Sequence, residues 1–462
     1  MRMKLDEIAK AVDGTLSTEN VPDEYVTSVA FDSRKLEPGS LFVPLVGDND
    51  GHDYIQSAID NGAVGSFWAN DHKDKAPTDF PVILVNDPLQ ALQDLAKYYL
   101  AKINPKVVAV TGSNGKTTTK DLIASIVGMK FNVIKTQGNF NNQIGVPITI
   151  LSMSSNTEVL VVEMGMDHSG QLKTLSNLVN PDIAVITMIG EAHIEFFGTR
   201  DRIADAKLEI TDGLREDGYF VYNGDEPLLN ERAEKVNAFR KTFGREGTND
   251  IYPTEIEAGD ENTKFETNLW NDYEFMIHLI GDYNVNNALA ALEVGDLLKI
   301  SPSDMRKGLE HANLTKNRTE WIKGNQGEMI LSDVYNSNPT AVKAVLAAFE
   351  STHVAGKRLL VLGDMLELGD DSQAMHASLA DSIDPDQISD VFLIGNDMKA
   401  LYEALENKYQ PQKNLHYYPI EKLPELVTDL KAAIEPNDEV LLKGSHGMHL
   451  ENVLDELTGP ND

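Results

Sequence analysis

Residues 111–119 read TGSNGKTTT, a set of residue types suited to holding phosphate and a divalent cation. Gly112 and Gly115 carry no Cβ, so the backbone can turn sharply and come close to a phosphate. Lys116 offers a positive charge to the β- and γ-phosphates of ATP, and Thr117 offers a hydroxyl to Mg²⁺. The apolar run that follows reads as a helix whose first N–H groups, with Thr111, Ser113, Asn114 and Thr118 around them, complete an anion cradle. The run VVAV before the loop and DLIASIV after it supply the strand–turn–helix order that such a loop requires. Val110 stands where the longer GxxxxGKT form would have glycine, so the match is to the shorter GxxGKT. A phosphate loop alone does not separate a kinase, a motor and a ligase. Two residues at later strand ends bear on that choice. Glu163 ends EVLVVEMG, where a neighbouring parallel strand would bring a carboxylate to the same magnesium, or where it would meet solvent. His193 in GEAHIEFFG follows a third strand and is either a metal ligand or a hydrogen-bonded loop histidine.

The elements needed to position these residues follow from periodicity. Before the loop, the strand-like runs YVTSVAFDS, SLFVPLVG and PVILVND and the helix-like run DYIQSAIDNGA describe a small α/β domain. The helical pattern PLQALQDLAKYYLAKI ends at Asn104-Pro105, where proline discourages further helix, and this sets a first boundary. VVAV, EVLVVEMG and DIAVITMIG, separated by helix-length segments, predict a parallel sheet with crossover helices. FETNLWNDYEFMIHLIG alternates as antiparallel strands do, which predicts a mixed edge, and NVNNALAALEVGDLLK reads as a closing helix. After Arg318 the runs EMILSD, KRLLVLGD, DVFLIG and EVLLKGS restart the alternation as a Rossmann-like domain, and carboxyl ends of such strands are where open α/β sheets bind ligands. The predicted fold class is α/β in three domains: 1–103, 104–315 and 316–462.

Composition narrows the partners. The 462 residues include 73 acidic against 40 basic side chains, a formal charge of -33, which opposes nucleic acid and anionic membrane surfaces. An anionic nucleotide must then be held locally, by a few cations, backbone N–H groups and metal. With no Cys, disulfides, thiolate zinc sites and Cys nucleophiles are excluded. No apolar run has the length of a bilayer span and the start lacks a signal-peptide core, so the cytoplasm is the expected address.

The segments TGSNGKTTT, GNFNNQIGVP, VVEMG, EAHIEFFG, ADAKLEI, NNALAA, NRTEW, DVYNSNP, LGDMLELG and LLKGS, in this order, resemble the Mur ligases of peptidoglycan precursor synthesis. The resemblance runs from FDSRKLEPGSLFVPLVG to KGS, and GNFNNQIGVP and DVYNSNP are most similar to the branch that adds D-alanyl-D-alanine to UDP-N-acetylmuramoyl-tripeptide. It implies an N-terminal domain for the UDP-muramoyl substrate, a central ATP-binding domain and a C-terminal ligase domain, acting through an acyl phosphate; a monomer is the expected state, although the sequence itself gives no oligomeric state. It further implies that Thr117 and Glu163 hold one magnesium and that His193 and a carbamylated Lys207 hold a second. Without the carbamate, Lys207 would read as a surface helix lysine pairing with Asp205 or Glu209. Asn287, Arg318 and Asp333 correspond to nucleotide contacts, or to a capping amide and an interdomain ion pair. Ser33 and Arg34 match the segment associated with UDP, and Asn139, Asn142 and Gln143 a loop facing the muramoyl group. Tyr335, Asn336 and Asn338 match the peptide or dipeptide end, with Asx turns and helix caps as the alternative. Tyr283, Val334 and His446 depart from the family pattern, which usually has His, a small residue and Arg there. Addition of one amino acid to a UDP-muramoyl dipeptide, and a non-catalytic ATP-binding switch, stay open as alternatives.

Overall fold

The computed structural model describes residues 1–18 and 23–459; positions 19–22 of the first predicted domain and 460–462 of the third lie outside it. A five-stranded sheet opens the chain, in the order Thr15–Leu16, Val82–Val85, Ala63–Ala69, Ser40–Phe42 and Ser28–Ala30. All neighbours pair parallel except Thr15–Leu16 with Val82–Val85. The helix Pro88–Ile103 follows with its predicted bounds: Asp87 caps it by accepting from Leu89 N–H at 2.8 Å, Pro88 occupies its first turn, and Asn104 ends it in the left-handed conformation. Its buried face, including Leu92, Leu95, Ala96 and Tyr99, packs in one continuous core with Val107, Val146 and Ile150 beyond the boundary.

A second sheet has six strands, all parallel, in the order Phe239–Phe243, Tyr219–Asn223, Ile183–Ile186, Lys106–Thr111, Val159–Glu163 and Val133–Lys135. Helices cover both faces, so the central strands read as unbroken β-branched runs. Register places the site: Glu163 lies opposite Val110, and Ile186 opposite Thr111, so three adjacent strands end level with one another. The helix Lys116–Gly128 leaves the central strand and buries Leu122, Ile123, Ile126 and Val127 against the helix Tyr283–Leu297. The helix Pro302–Glu310 packs on the same loop helix, and a Cβ on its Gly308 would sit 2.7 Å from Ile126 Cα, so glycine permits that close approach. The predicted mixed edge is absent from the sheet. The antiparallel strands Pro253–Ala258, Thr263–Thr267 and Phe275–Ile277 form a separate three-stranded sheet, because Phe265, Phe275 and Ile277 bury their own face against the helices Tyr283–Leu297 and Pro302–Glu310.

The third sheet runs Glu320–Lys323, Met329–Asp333, Glu439–Lys443, Arg358–Gly363, Asp390–Ile394 and Leu415–Tyr418; its first strand is antiparallel and the rest are parallel. Asp333 and Lys443 end adjacent strands in register with each other. The helix Pro339–Ser351 starts beyond Asp333, with Pro339 at its first position and Asn338 as its cap. Carboxyl ends of the second and third sheets face one cleft, which is the arrangement expected for a ligand site in open α/β folds.

Candidate active site

The cleft encloses about 880 Å³ and is lined from both sheets, by Ser113 to Thr118, Glu163 and His193 on one side and Arg318, Asp333, Tyr335 and Asn336 on the other. The phosphate loop is rigidly braced. Thr187 donates to the Asn114 carbonyl at 2.5 Å, Gly190 N–H donates to the Ser113 hydroxyl at 2.8 Å, and Thr111 donates to the Met164 carbonyl at 2.8 Å. Thr111 and Gly112 are therefore braces behind the loop and do not line the cleft. A Cβ on Gly112 would fall 1.8 Å from Thr187 Oγ1, and one on Gly115, which has φ +79°, would fall 2.3 Å from Asn287 Oδ1. Asn287 accepts from Thr119 at 3.2 Å and donates to Asn284 at 3.0 Å, tying its helix to the loop helix. Lys116 bends over the loop and donates to the Gly112 carbonyl at 2.8 Å. Burial draws its ammonium below the ordinary lysine value, with the Glu163 carboxylate opposing and Arg318 adding to the shift.

Three side chains next to the loop have the properties of cation ligands. Glu163 is 2% exposed; one oxygen accepts from Asn141 at 2.9 Å, and the other is buried with no hydrogen-bond partner among the described residues. A buried carboxylate oxygen left this way is costly unless a cation meets it. His193 caps a short helix in the left-handed region, at φ +65°. Its Nδ1 is held 2.5 Å from a Glu367 oxygen of the C-terminal domain, which leaves Nε2 as the nitrogen available to a ligand. Burial holds the imidazole below its usual value, with Glu367 opposing and Lys116 and Lys207 adding, so the neutral form persists. Lys207, on the helix Arg200–Leu208, is 2% exposed. Its surface-pairing alternative fails: Asp205 binds Arg232 at 2.6 Å, and Glu209 accepts from Gly170 N–H at 2.8 Å. Burial first, and then the charge of Lys116, hold the Lys207 amine well below the ordinary lysine value.

The opposite wall is aromatic and cationic. The Arg318 guanidinium lies 3.9 Å over the Tyr335 ring, whose other neighbour, the His446 ring, has its centroid 5.3 Å away. Asn317 and Thr319, on either side of Arg318, both have positive φ, 60° and 53°, a strained turn that aims the guanidinium into the cleft. Asp333 pairs with Lys443 at 2.6 Å, and Lys443 also donates to the Asn336 carbonyl at 2.9 Å. Sequence reading missed Lys443 as a site residue although LLKGS contains it; its position at a parallel strand's carboxyl end was the available signal. It also missed Glu367, Asn141 and Thr187, each of which fixes a predicted residue from another segment.

Other predicted residues stand elsewhere. Asn142 and Gln143 line the cleft, Asn142 accepting from Ile144 and Gly145 N–H, while exposed Asn139 stands beside the Tyr335 hydroxyl. Asn338 is 1% exposed and does not line the cleft. Ser33 and Arg34 lie on the N-terminal domain outside it; Ser33 is buried, and exposed Arg34 makes two 2.9 Å bonds to Asp32. On the same domain Asp50, His52 and His72 cluster with metal-ligand spacing. Ala69 N–H donates to His52 Nε2 at 3.2 Å, which puts the ring hydrogen on Nδ1, facing Asp50 at 2.7 Å, so this histidine is spent on hydrogen bonds.

Comparison with known proteins shows which family the chain is similar to. Three family descriptions match in order: "Mur ligase family, catalytic domain" over residues 25–100, "Mur ligase middle domain" over 110–295, and "Mur ligase, glutamate ligase domain" over 317–446. The chain is 42% identical over 458 residues, covering 99% of its length and 98% of the relative's, to a Bacillus subtilis protein named UDP-N-acetylmuramoyl-tripeptide--D-alanyl-D-alanine ligase. Among solved structures, MurF from Acinetobacter baumannii superposes with a TM-score of 0.85 at 28% identity, covering 99% of both chains. MurF from Thermotoga maritima, solved in complex with ADP, superposes with a TM-score of 0.78 at 27% identity, covering 93% of this chain and 97% of that one. With matches spanning every domain and a relative this similar along nearly its whole length, the chain belongs to the Mur ligase family.

Proposed function

We propose that the protein is an ATP-dependent ligase that joins D-alanyl-D-alanine to the terminal carboxylate of UDP-N-acetylmuramoyl-tripeptide. The observation that carries this reading is the convergence of the phosphate loop, Glu163 and His193 on a single cleft walled on its other side by the C-terminal domain, with Lys207 buried within electrostatic reach of Lys116 and His193, in a chain 42% identical to a ligase of that name. In the three-part division of labour we infer, residues 1–103 hold the UDP end of the substrate through Ser33 and Arg34, 104–315 hold ATP, and 316–462 present the dipeptide. The proposed working unit is a monomer. No helix among the described residues is long and apolar enough to cross a membrane, and the proposed address is the cytoplasm, where ATP is available.

A carboxylate is a poor electrophile, and phosphorylation gives it a leaving group. A carboxylate oxygen attacks the γ-phosphorus of ATP, the bond to the β–γ bridging oxygen breaks, and ADP departs with that electron pair. The dipeptide amine then attacks the acyl carbon and loses a proton, and the carbon–oxygen bond to phosphate breaks. The residues hold and orient anions: Lys116 reaches the β- and γ-phosphates, Arg318 and Lys443 add positive charge from the opposite wall, and Asn287 and Asp333 flank the nucleoside. Excluding water from the cleft protects the acyl phosphate.

Thr117 and Glu163 would hold one magnesium, and His193 Nε2 with a carbamate on Lys207 a second; when bound, these ions neutralise phosphate charge. The donor set fits, since Glu163 keeps an unpartnered buried oxygen and His193 is held neutral. Lys207 fits after modification, because its neutral amine adds CO₂, releases a proton and becomes an oxygen ligand suited to Mg²⁺.

The test is release of phosphate with mass identification of the product. Release is expected to require ATP, the UDP-linked tripeptide and D-alanyl-D-alanine together, and to yield the UDP-linked pentapeptide. Full-rate release with either acceptor or dipeptide omitted would overturn the reading.

A further inference from the structure

Asn114, in the phosphate loop, and Asn338, at the start of the helix Pro339–Ser351, face each other across the two domains with both amides paired. Asn338 Nδ2 donates to Asn114 Oδ1 at 2.7 Å, and Asn114 Nδ2 donates to Asn338 Oδ1 at 3.2 Å. The Asn338 oxygen also accepts from Ala341 N–H at 3.0 Å as the helix cap. That capping bond settles which end of the Asn338 amide is oxygen, and so obliges its Nδ2 to face Asn114. With one oxygen accepting twice, one N–H donated and the side chain 1% exposed, Asn338 has almost no capacity left for a substrate.

The pair joins two functional surfaces. Asn114 belongs to the loop that cradles phosphate, and its carbonyl is already held by Thr187. The helix capped by Asn338 presents Thr340, Ala341, Ala344 and Val345 to the cleft, and Thr340 donates to Glu191 of the central domain at 2.7 Å. We infer that Asn338 is a positioning residue: its paired amide locks the acceptor-side helix onto the phosphate loop, so that the domains engage with the nucleotide and amine subsites in register. This inference rests on the ligase reading.

Two substitutions separate the lock from the cap. Serine is a good helix cap but too short to reach Asn114, whereas alanine removes both functions. Asn338→Ser is expected to lower the melting temperature less than Asn338→Ala does, since it keeps the cap, yet to lower kcat/KM for the dipeptide about tenfold to a hundredfold, the size expected for two lost hydrogen bonds. Asn338→Ala is expected to lower kcat/KM equally and to lower the melting temperature further. At saturating ATP, Asn114→Ala combined with Asn338→Ser is expected to be no worse than the poorer single variant, because each cuts the same pair. Wild-type kcat/KM in Asn338→Ser, or multiplying effects in the double variant, would overturn the inference. Failure of wild-type protein to form the pentapeptide in the same assay would instead count against the ligase reading.

Discussion

Burying the Lys207 amine within reach of the Lys116 charge, with no carboxylate pairing it among the described residues, opposes its positive charge twice over. Such a lysine is retained where a neutral amine or its product is needed. Lys207→Ala is therefore expected to lose at least a hundredfold in kcat, with partial recovery when short carboxylates such as acetate are added, and intact mass is expected to show one CO₂ on the wild-type protein. Full activity of the variant without added carboxylate would remove the carbamate from the mechanism. Gly115→Ala makes a steric claim: the new methyl would meet Asn287 Oδ1 at 2.3 Å in a backbone held at φ +79°. ATP affinity should fall by at least tenfold, measured by titration calorimetry, since the left-handed conformation alone costs a non-glycine residue about 1–2 kcal/mol. At this scale the strand–turn–helix order of the loop was legible, because its signals are local, glycines, lysine and hydroxyls within nine consecutive residues, whereas the place of Thr111 and Gly112 behind the loop was not. Nor was Lys443. Its partner Asp333 lies 110 positions away, and only strand pairing makes the lysine a buried cleft residue.

Elements were readable wherever their signals were complete. Pro88–Ile103 carries a cap, a proline and an apolar stripe, and the central strands carry unbroken β-branched runs. Ala63–Ala69 and Leu415–Tyr418 escaped notice. The first includes Gly65 and Ser66, poor strand formers that are tolerated because Gly65 admits Leu5, and the second is a short edge of tyrosines and a histidine. The helix Tyr283–Leu297 hides a charged residue in its C-terminal half: Glu293 is 1% exposed, with Lys241 3.5 Å from one oxygen and no hydrogen bond at either among the described residues. Burial pushes this carboxyl up from 4.5 to about 7, with Lys241 opposing and Asp250 and Asp296 adding. The sign follows directly. Between those two values the unfolded chain has released a proton that the folded chain still holds, so stability falls as pH rises through the window and levels off above it. Glu293→Gln removes the ionisation. Its melting temperature is expected to exceed the wild-type value by about 5 °C at pH 8, with the gain vanishing near pH 4.5. An unchanged difference across that range would show that Glu293 ionises freely.

The whole molecule is assembled by contacts that no local pattern announces. His193 meets Glu367, Thr340 meets Glu191, Tyr283 meets Thr319, and the paired amides of Asn114 and Asn338 complete the seam between the second and third sheets. Each joins segments far apart in sequence, so the sequence suggested which residues gather but not how the domains grip one another. Charge operates at the same scale. A net charge of -33 surrounds a cleft that must admit ATP and a UDP-linked peptide, both polyanions, through a few cations such as Lys116, Arg318 and Lys443. Those cations act at contact distance, where salt screens weakly, whereas the surface acidity acts over a Debye length that shrinks from about 30 Å at ~0.01 M salt to about 8 Å at ~0.15 M. Neutral salt should thus relieve long-range repulsion before it weakens short-range binding. Across that range, with magnesium fixed, kcat/KM for the UDP-linked substrate is expected to rise about two- to fivefold, the reverse of the fall seen when opposite charges steer an encounter. A steady decline with salt would mean instead that the cationic cleft, and not the acidic surface, sets the field that an incoming substrate meets.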